Sequence, residues 1–517
     1  MFEAAELGRS ISKQDYKEQE PYLREQLLLT QLALQQANVP VFILLEGVSS
    51  KDKGEVTNLL NQWFDTRGLE VNGFGAKTDA EARRPRFWRY WHNFPARGRI
   101  GLFYGSWYSG ELIKRATKQQ KKAAFDTHMQ RIQALETTLA RDGALILKFW
   151  LHSSKSTQQL RLKELKQAHK DGWKSSHTDF QILTHYPRYI RSAERAVRLT
   201  DQAIAPWYVI ESEDNNYRDL AVVKQIIATA ETHLANVPKD TQPKAEPNPS
   251  NITTEAENKP HTGKKQPNKQ PKKEKPEPTV LSLLEESQTG EPENYSKRLA
   301  ELQETLTRLS WQAYHKNISV ILVFEGWDAA GKGGAIRRIM QAVDARIARV
   351  ISIAAPTDEE NAHHYLWRFW RHIPASGKHT IYDRSWYGRV LVERVEGFAS
   401  ENEWRRAYTE INNFEEQIIH HGSLLLKFWL HIDQEEQLTR FKARENIPYK
   451  QHKITDDDWR NRNHWQDYES AINDMVVHTS TDYAPWTLIA ANNKHHARLA
   501  VLEELCDKLE KALKHTD

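Results

Sequence analysis

The stretch EGWDAAGKGG, Glu325 to Gly334, sets glycines, a lysine and an acid in an order that can hold phosphate. Gly326 and Gly331 enclose four residues and Lys332 follows, which is P-loop spacing. In such a loop the backbone N–H groups of Ala329, Ala330, Gly331, Gly333 and Gly334 converge on phosphate oxygens. The helix that follows adds the partial positive charge of its N-terminus. Lys332 places a point charge on the same oxygens. Gly333 stands where a Ser or Thr ordinarily ligates Mg²⁺, so carboxylates must replace that hydroxyl. Asp328 inside the loop and Asp383 at the end of HTIYD are the candidates. Asp383 also reads as an N-cap for RSWYGRVLVERV. Arg384 follows it, and Arg337 follows the loop on its helix. Downstream, EQLTRFKARENIPYKQHKITDDDWRNRNHW carries Arg440, Lys442, Arg444, Lys450 and Lys453. Elsewhere this charge run would be a solvated face. Beside a P-loop it is expected to be a lid that closes on phosphates and excludes water.

Positioning these groups takes strands and helices in alternation. The apolar runs at 319–324, 349–354, 379–383, 424–430 and 487–491 read as strands buried on both sides. Amphipathic stretches such as Gly334–Val343 and Glu401–His420 lie between them and read as helices. The alternation predicts βαβ units in a parallel sheet flanked by helices, an α/β fold. In HHYLWRFWRHIP, Leu366, Phe369, Trp370 and Ile373 fall at helical spacing and are expected in the core.

The same layout occurs twice. Glu46-Gly47, Ser106-Trp107-Tyr108, Lys148-Phe149-Trp150-Leu151-His152 and Ala205-Pro206-Trp207 each recur at one shift of 279 residues (46 to 325). The chain is therefore a tandem duplication of a domain of about 220 residues, too long a period for a solenoid. Residues 1–237 and 279–517 are the two copies. Residues 238–278, rich in Pro and Lys and poor in large apolar side chains, are expected to be a disordered tether. In the first copy Asp52 replaces the second loop glycine, Ser49 stands for Asp328, and Tyr104 and Gly105 stand for Asp383 and Arg384. Lys53 is kept. A carboxylate in the loop repels phosphate, so the first copy is expected to be catalytically silent and retained for structure, pairing or regulation.

The set EGWDAAGKGG, YDRSWYGRVLVERVEG, LLLKFWLHI and APW resembles the type-2 polyphosphate kinase family. The tandem arrangement with a degenerate first copy is similar to its two-domain, AMP-phosphorylating members. The resemblance implies tandem P-loop kinase-like domains with a helical lid, and transfer of the terminal phosphate of inorganic polyphosphate to AMP, giving ADP, with Mg²⁺. It implies catalytic roles for Asp328, Lys332, Asp383 and Arg384, with Asp328 and Asp383 on the metal. Gly326, Arg337, Arg444, Lys450 and Lys453 join the loop residues as phosphate-binding candidates. ADP or GDP as acceptor, ATP as donor, and a non-catalytic sensor of polyphosphate remain open alternatives.

Bulk properties narrow the field. The 517 residues are 27% charged and 39% hydrophobic with a net charge of +4, so anion binding must come from local clustering. The single cysteine, Cys506, excludes an intramolecular disulfide and a thiolate metal cluster. No run approaches the roughly 20 apolar residues of a membrane span, and nothing reads as a nucleic-acid binder. The expected setting is cytoplasmic, with homo-oligomerisation left open.

Overall fold

The strand VILVFEG (β6, Val320–Gly326) is buried nearly end to end, as a central parallel strand covered on both faces must be. The computed structural model describes residues 1–170, 177–236, 279–285, 291–446 and 456–514. The first copy contains β1 (Val41–Gly47), β2 (Leu69–Gly73), β3 (Ile100–Tyr104), β4 (Leu145–His152) and β5 (Trp207–Glu211). The second contains β6, β7 (Ala348–Ser352), β8 (His379–Asp383), β9 (Leu424–His431) and β10 (Trp486–Ala490). Each set forms a five-stranded sheet, ordered β2-β3-β1-β4-β5 and β7-β8-β6-β9-β10. The described ladders are parallel. The predicted α/β architecture and its duplication are thus observed. The expected tether at 238–278 lies outside the described residues.

This order has functional weight. The chain goes outward from β6 to β7, returns to β8 beside β6, then crosses to β9 on the other side. The reversal opens a crevice at the carboxyl ends of β6 and β8, where ligands bind in open α/β sheets. Register brings Phe324 beside Asp383 and Gly326 beside Leu430, so the loop after β6 and the acid at the tip of β8 share that rim. Behind the sheet, the helix Glu401–His420 starts at a Ser400/Glu403 capping box and buries Ala407, Ile411, Phe414 and Ile418 at three- and four-residue spacing. Leu366, Phe369, Trp370 and Ile373 are all buried, as their spacing predicts.

The two copies pack through equivalent positions. Trp91 stacks on Trp370, its counterpart, with ring centroids 5.7 Å apart. The Arg97 N–H donates to Ala362 O at 2.8 Å, and the Ser376 N–H donates to Arg83 O at 2.9 Å. Each residue of one bond is the counterpart of a residue in the other, so the interface has local pseudo-twofold symmetry. Arg406 pairs with Asp142 across it.

Candidate active site

The loop after β6 needs two glycines for different reasons. A Cβ on Gly326 would lie 2.5 Å from Leu430 O, so the close approach of β6 to β9 admits no side chain. Gly331 has open space but a φ of +111°, which only glycine adopts readily. The helix Lys332–Ala342 then begins at Gly331. Among the described residues, the N–H groups of Gly331, Lys332 and Gly333 have no acceptor. Three adjacent unsatisfied donors at a helix N-terminus form an anion site. Lys332 Nζ folds back on the loop, donating to Gly326 O at 2.7 Å and Trp327 O at 3.2 Å.

Asp328 is held from two sides. Arg384 donates to its Oδ1 at 3.2 Å, and Asn461 Nδ2 donates to its Oδ2 at 3.0 Å. The hydroxyl of Tyr468 fixes Asn461 by donating to its Oδ1 at 3.1 Å. Arg384 has a φ of +64°, an uncommon conformation for a side chain of its size. Strain of this kind collects at functional sites. Partial desolvation lowers the Arg384 pKa, but Asp328, Glu325, Asp383 and Asp458 outweigh it and leave the guanidinium above its ordinary value. Glu325 is buried, and burial pushes its carboxyl up despite Lys332, the hydrogen bond from Ser385 and Arg384. Its 2.8 Å bond from Ser385 Oγ joins β6 to the turn after β8. Glu46 makes the same link to Ser106 in the first copy, so this shared glutamate is structural.

Asp383 ends β8 in register with Phe324 and Ser352. It does not cap the next helix. Ser385 does, accepting from Tyr387 N, because the chain turns through Arg384 before a short 3₁₀ segment, Trp386–Val390, begins. The loop residues, Asp328, Lys332, Asp383 and Arg384 therefore gather at the carboxyl rim. Arg337 is exposed on the second turn of its helix. Arg444 lies in the last turn of the helix Gln434–Glu445. Lys450 and Lys453 fall outside the described residues.

Sequence reasoning missed three groups. Asn461 has no motif to mark it. Arg498 lies beside the loop helix, its guanidinium 3.5 Å from where a Gly334 Cβ would stand. Arg440 looked like one more lid cation but points inward and is 4% exposed. Burial lowers its pKa; Glu436 opposes this, while Arg444 and Arg498 add to it. A signal for Arg440 did exist, because Arg161 stands 279 residues earlier. Beside the loop, Trp327 stacks on Trp465 at 3.7 Å between ring centroids and donates from Nε1 to His431.

The donor set suits a phosphate-bridged divalent ion. Among the described residues no three His, Cys, Asp or Glu side chains form a ready metal cage. Two carboxylates next to a phosphate cradle match the way Mg²⁺ is ordinarily held, by one or two carboxylates plus substrate oxygens.

The first copy is built differently at the same place. Its helix starts at Ser50, so the residues matching the open loop are wound into its first turn. Ser49 Oγ accepts from Asp52 N, and Asp179 accepts from both the N–H and hydroxyl of Ser50. Asp52, 1% exposed, receives both Arg161 nitrogens at 2.9 Å and Ser153 Oγ at 3.1 Å. Lys53 N donates to Ser49 O as well, so the amides of Ser50, Asp52 and Lys53 are satisfied within the copy and its loop carboxylate is paired with Arg161.

A parallel sheet with open amides at its carboxyl rim, leading into a helix, has the form of a P-loop anion site. The family model for Polyphosphate kinase 2 (PPK2) matches residues 10–238 and again 289–517. A polyphosphate:AMP phosphotransferase of Pseudomonas syringae pv. tomato is 46% identical over 99% of both chains. One of Pseudomonas aeruginosa is 43% identical, again over 99% of both. A crystal structure assigned to polyphosphate kinase 2 from Pseudomonas aeruginosa covers 99% of each chain with a TM-score of 0.85 and 42% identity. The chain belongs to the polyphosphate kinase 2 family, as its motifs led us to expect. Phosphoryl transfer by such kinases generally uses a divalent metal. No described helix is long and apolar enough to cross a membrane.

Proposed function

We propose that this protein is an enzyme that transfers the terminal phosphate of inorganic polyphosphate to AMP, giving ADP, and that its second copy does the chemistry. The carrying observation is full-length likeness to proteins named for this reaction, combined with an open phosphate cradle in the second copy only. In this reading the amides of Gly331, Lys332 and Gly333 and the Lys332 ammonium bind the donor phosphates, after Lys332 leaves its loop carbonyls. Arg384 neutralises charge on the transferred group. Arg444, Lys450 and Lys453 add cationic charge for the chain of phosphates. Asp328, oriented by Asn461, and Asp383 would hold Mg²⁺, which when bound supplies charge neutralisation between donor and acceptor. The attacking atom is an AMP phosphate oxygen, already ionised, so no strong general base is needed. Positioning and electrostatics supply the rate.

The test is ADP formation from AMP and Mg²⁺ with either long-chain polyphosphate or ATP as donor. Turnover with polyphosphate is expected. Turnover with ATP alone would overturn the donor, and phosphorylation of ADP or GDP in place of AMP would overturn the acceptor.

A further inference from the structure

Arg440 is a buried arginine bonded to backbone carbonyls on two segments. One nitrogen donates to Ala329 O at 2.9 Å and Ala330 O at 3.0 Å. The other donates to Ala491 O at 2.7 Å and Asn492 O at 2.8 Å, just past β10. Its Nε pairs with Glu436 one turn earlier. A trans peptide unit points its carbonyl and N–H in opposite directions. A guanidinium that holds the Ala329 and Ala330 carbonyls therefore turns the next two amides away from itself. Ala330 N closes a turn onto Trp327 O at 3.0 Å. The Gly331 N–H is left without an acceptor among the described residues, as are those of Lys332 and Gly333. The loop has a reason to need holding, because Ala329 adopts φ +64°. The first copy shows the other outcome. There the matching arginine, Arg161, is drawn to Asp52, and the chain at the loop position is helical.

We propose that Arg440 is a positioning residue for phosphoryl transfer, gripping two loop carbonyls and the end of β10 so that the loop amides face the donor phosphates before any ligand arrives. Arg440 does not touch those phosphates. It also lies in the helix Gln434–Glu445, whose next turn carries Arg444. This inference rests on the second copy being the catalytic centre.

The experiment uses the full-length chain with Arg440→Met, Arg440→Lys and Lys332→Ala. The first readout is hydrogen exchange without ligand at the amides of Ala330, Gly334 and Ala335, which are bonded within the loop. In Arg440→Met their protection should fall about tenfold, while strand β9 is unchanged. The second readout is steady-state turnover of polyphosphate and AMP. Arg440→Met should lower kcat about a hundredfold and raise the KM for polyphosphate about tenfold, with the KM for AMP within about threefold. Arg440→Lys, able to hold one pair of carbonyls but not both, should recover about tenfold in kcat. If Arg440→Met does not fold, Arg440→Lys carries both readouts with smaller changes. Faster exchange through the whole sheet would mean a merely structural role and would overturn the proposal. So would unchanged loop exchange, or kcat/KM within about threefold of the parent. If Lys332→Ala keeps full turnover, the site assignment has failed instead, and the exchange result still judges Arg440.

Discussion

The same strand-to-helix turn occurs twice in this molecule, and the two versions differ in what their loop amides bond. In the second copy it is held open, with three N–H groups unsatisfied and a left-handed glycine at the start of the helix. In the first copy the helix begins earlier, Ser49 accepts from the Asp52 and Lys53 amides, and the Asp52 carboxylate is clasped by Arg161 and Ser153. The changes are correlated. Asp328 becomes Ser49, its supporter Asn461 becomes Ile182, Asp383 becomes Tyr104 and Arg384 becomes Gly105. What survives in both is the frame: the first loop glycine, the Glu46 or Glu325 link to a serine, and the buried pair of Lys148 with Glu136 or Lys427 with Glu415. The lesson is that the residues that hold the sheet together are separable from those that handle phosphate.

The sharpest way to break this comparison is to remove charge from the open loop. Lys332→Ala should reduce turnover at least about a thousandfold, roughly 4 kcal/mol of transition-state stabilisation, with an unchanged circular dichroism spectrum. Retained turnover would mean that the open loop is not the site of transfer. In the closed loop the corresponding break is structural. Asp52→Ala removes a buried carboxylate from the partly exposed Arg161 and from Ser153, and should cost about 2 kcal/mol of stability by urea unfolding, the scale of lost hydrogen bonds to a charged group. Turnover should survive in the folded fraction. A variant as stable as the parent would show that the clasp does not hold the first copy's turn.

Exchanging one residue between the copies gives a smaller effect. Arg384→Gly installs the first copy's residue at a position where Gly105 has a φ of +77° and Arg384 one of +64°. Relief of the left-handed conformation should raise stability by about 1 kcal/mol. Loss of the guanidinium should lower turnover about thirtyfold, or about 2 kcal/mol. Stability and activity should therefore move in opposite directions. A drop in both would mean that Arg384 serves the fold, with Asp328 as its structural partner.

How much of this was written in the sequence depends on the range of the contact. Local signals were enough for the helix Glu401–His420 and the strand HTIYD, whose observed bounds agree with the pattern. The loop motif and the loss of its parts in the first copy were equally plain, because they depend on neighbours in sequence. The recurrence of Arg440 as Arg161 was legible, but its inward turn was not. Its partners at Ala329, Ala330, Ala491 and Asn492 lie far along the chain, and an arginine in a basic stretch carries no mark of burial. The Arg161 clasp of Asp52 was hidden for the same reason, so a lone carboxylate in the loop read as repulsion when the fold had already neutralised it. The cap assignment for Asp383 failed by two residues, since a left-handed residue inside the turn moved the cap to Ser385.

The smallest expected effect is the most demanding test of the comparison. Lys53, the counterpart of Lys332, is kept in the first copy, and it is 6% exposed. Its ammonium lies 5.6 Å from the ring centroid of Tyr104, the residue that replaces Asp383. A cation over an aromatic face is a local packing contact worth about 0.5–2 kcal/mol, and it needs no phosphate to explain it. Lys53→Ala should therefore lower stability modestly and leave kcat and the KM for polyphosphate within about threefold of the parent, or about 0.6 kcal/mol. Lys53→Met, which keeps the stem and loses the charge, should be nearer still to the parent. A change in kcat alone would mean that the first copy takes part in the chemistry. A rise in the polyphosphate KM alone would mean that it binds the donor chain while the second copy turns it over. Either result would show that closing the first copy's loop had not retired its lysine.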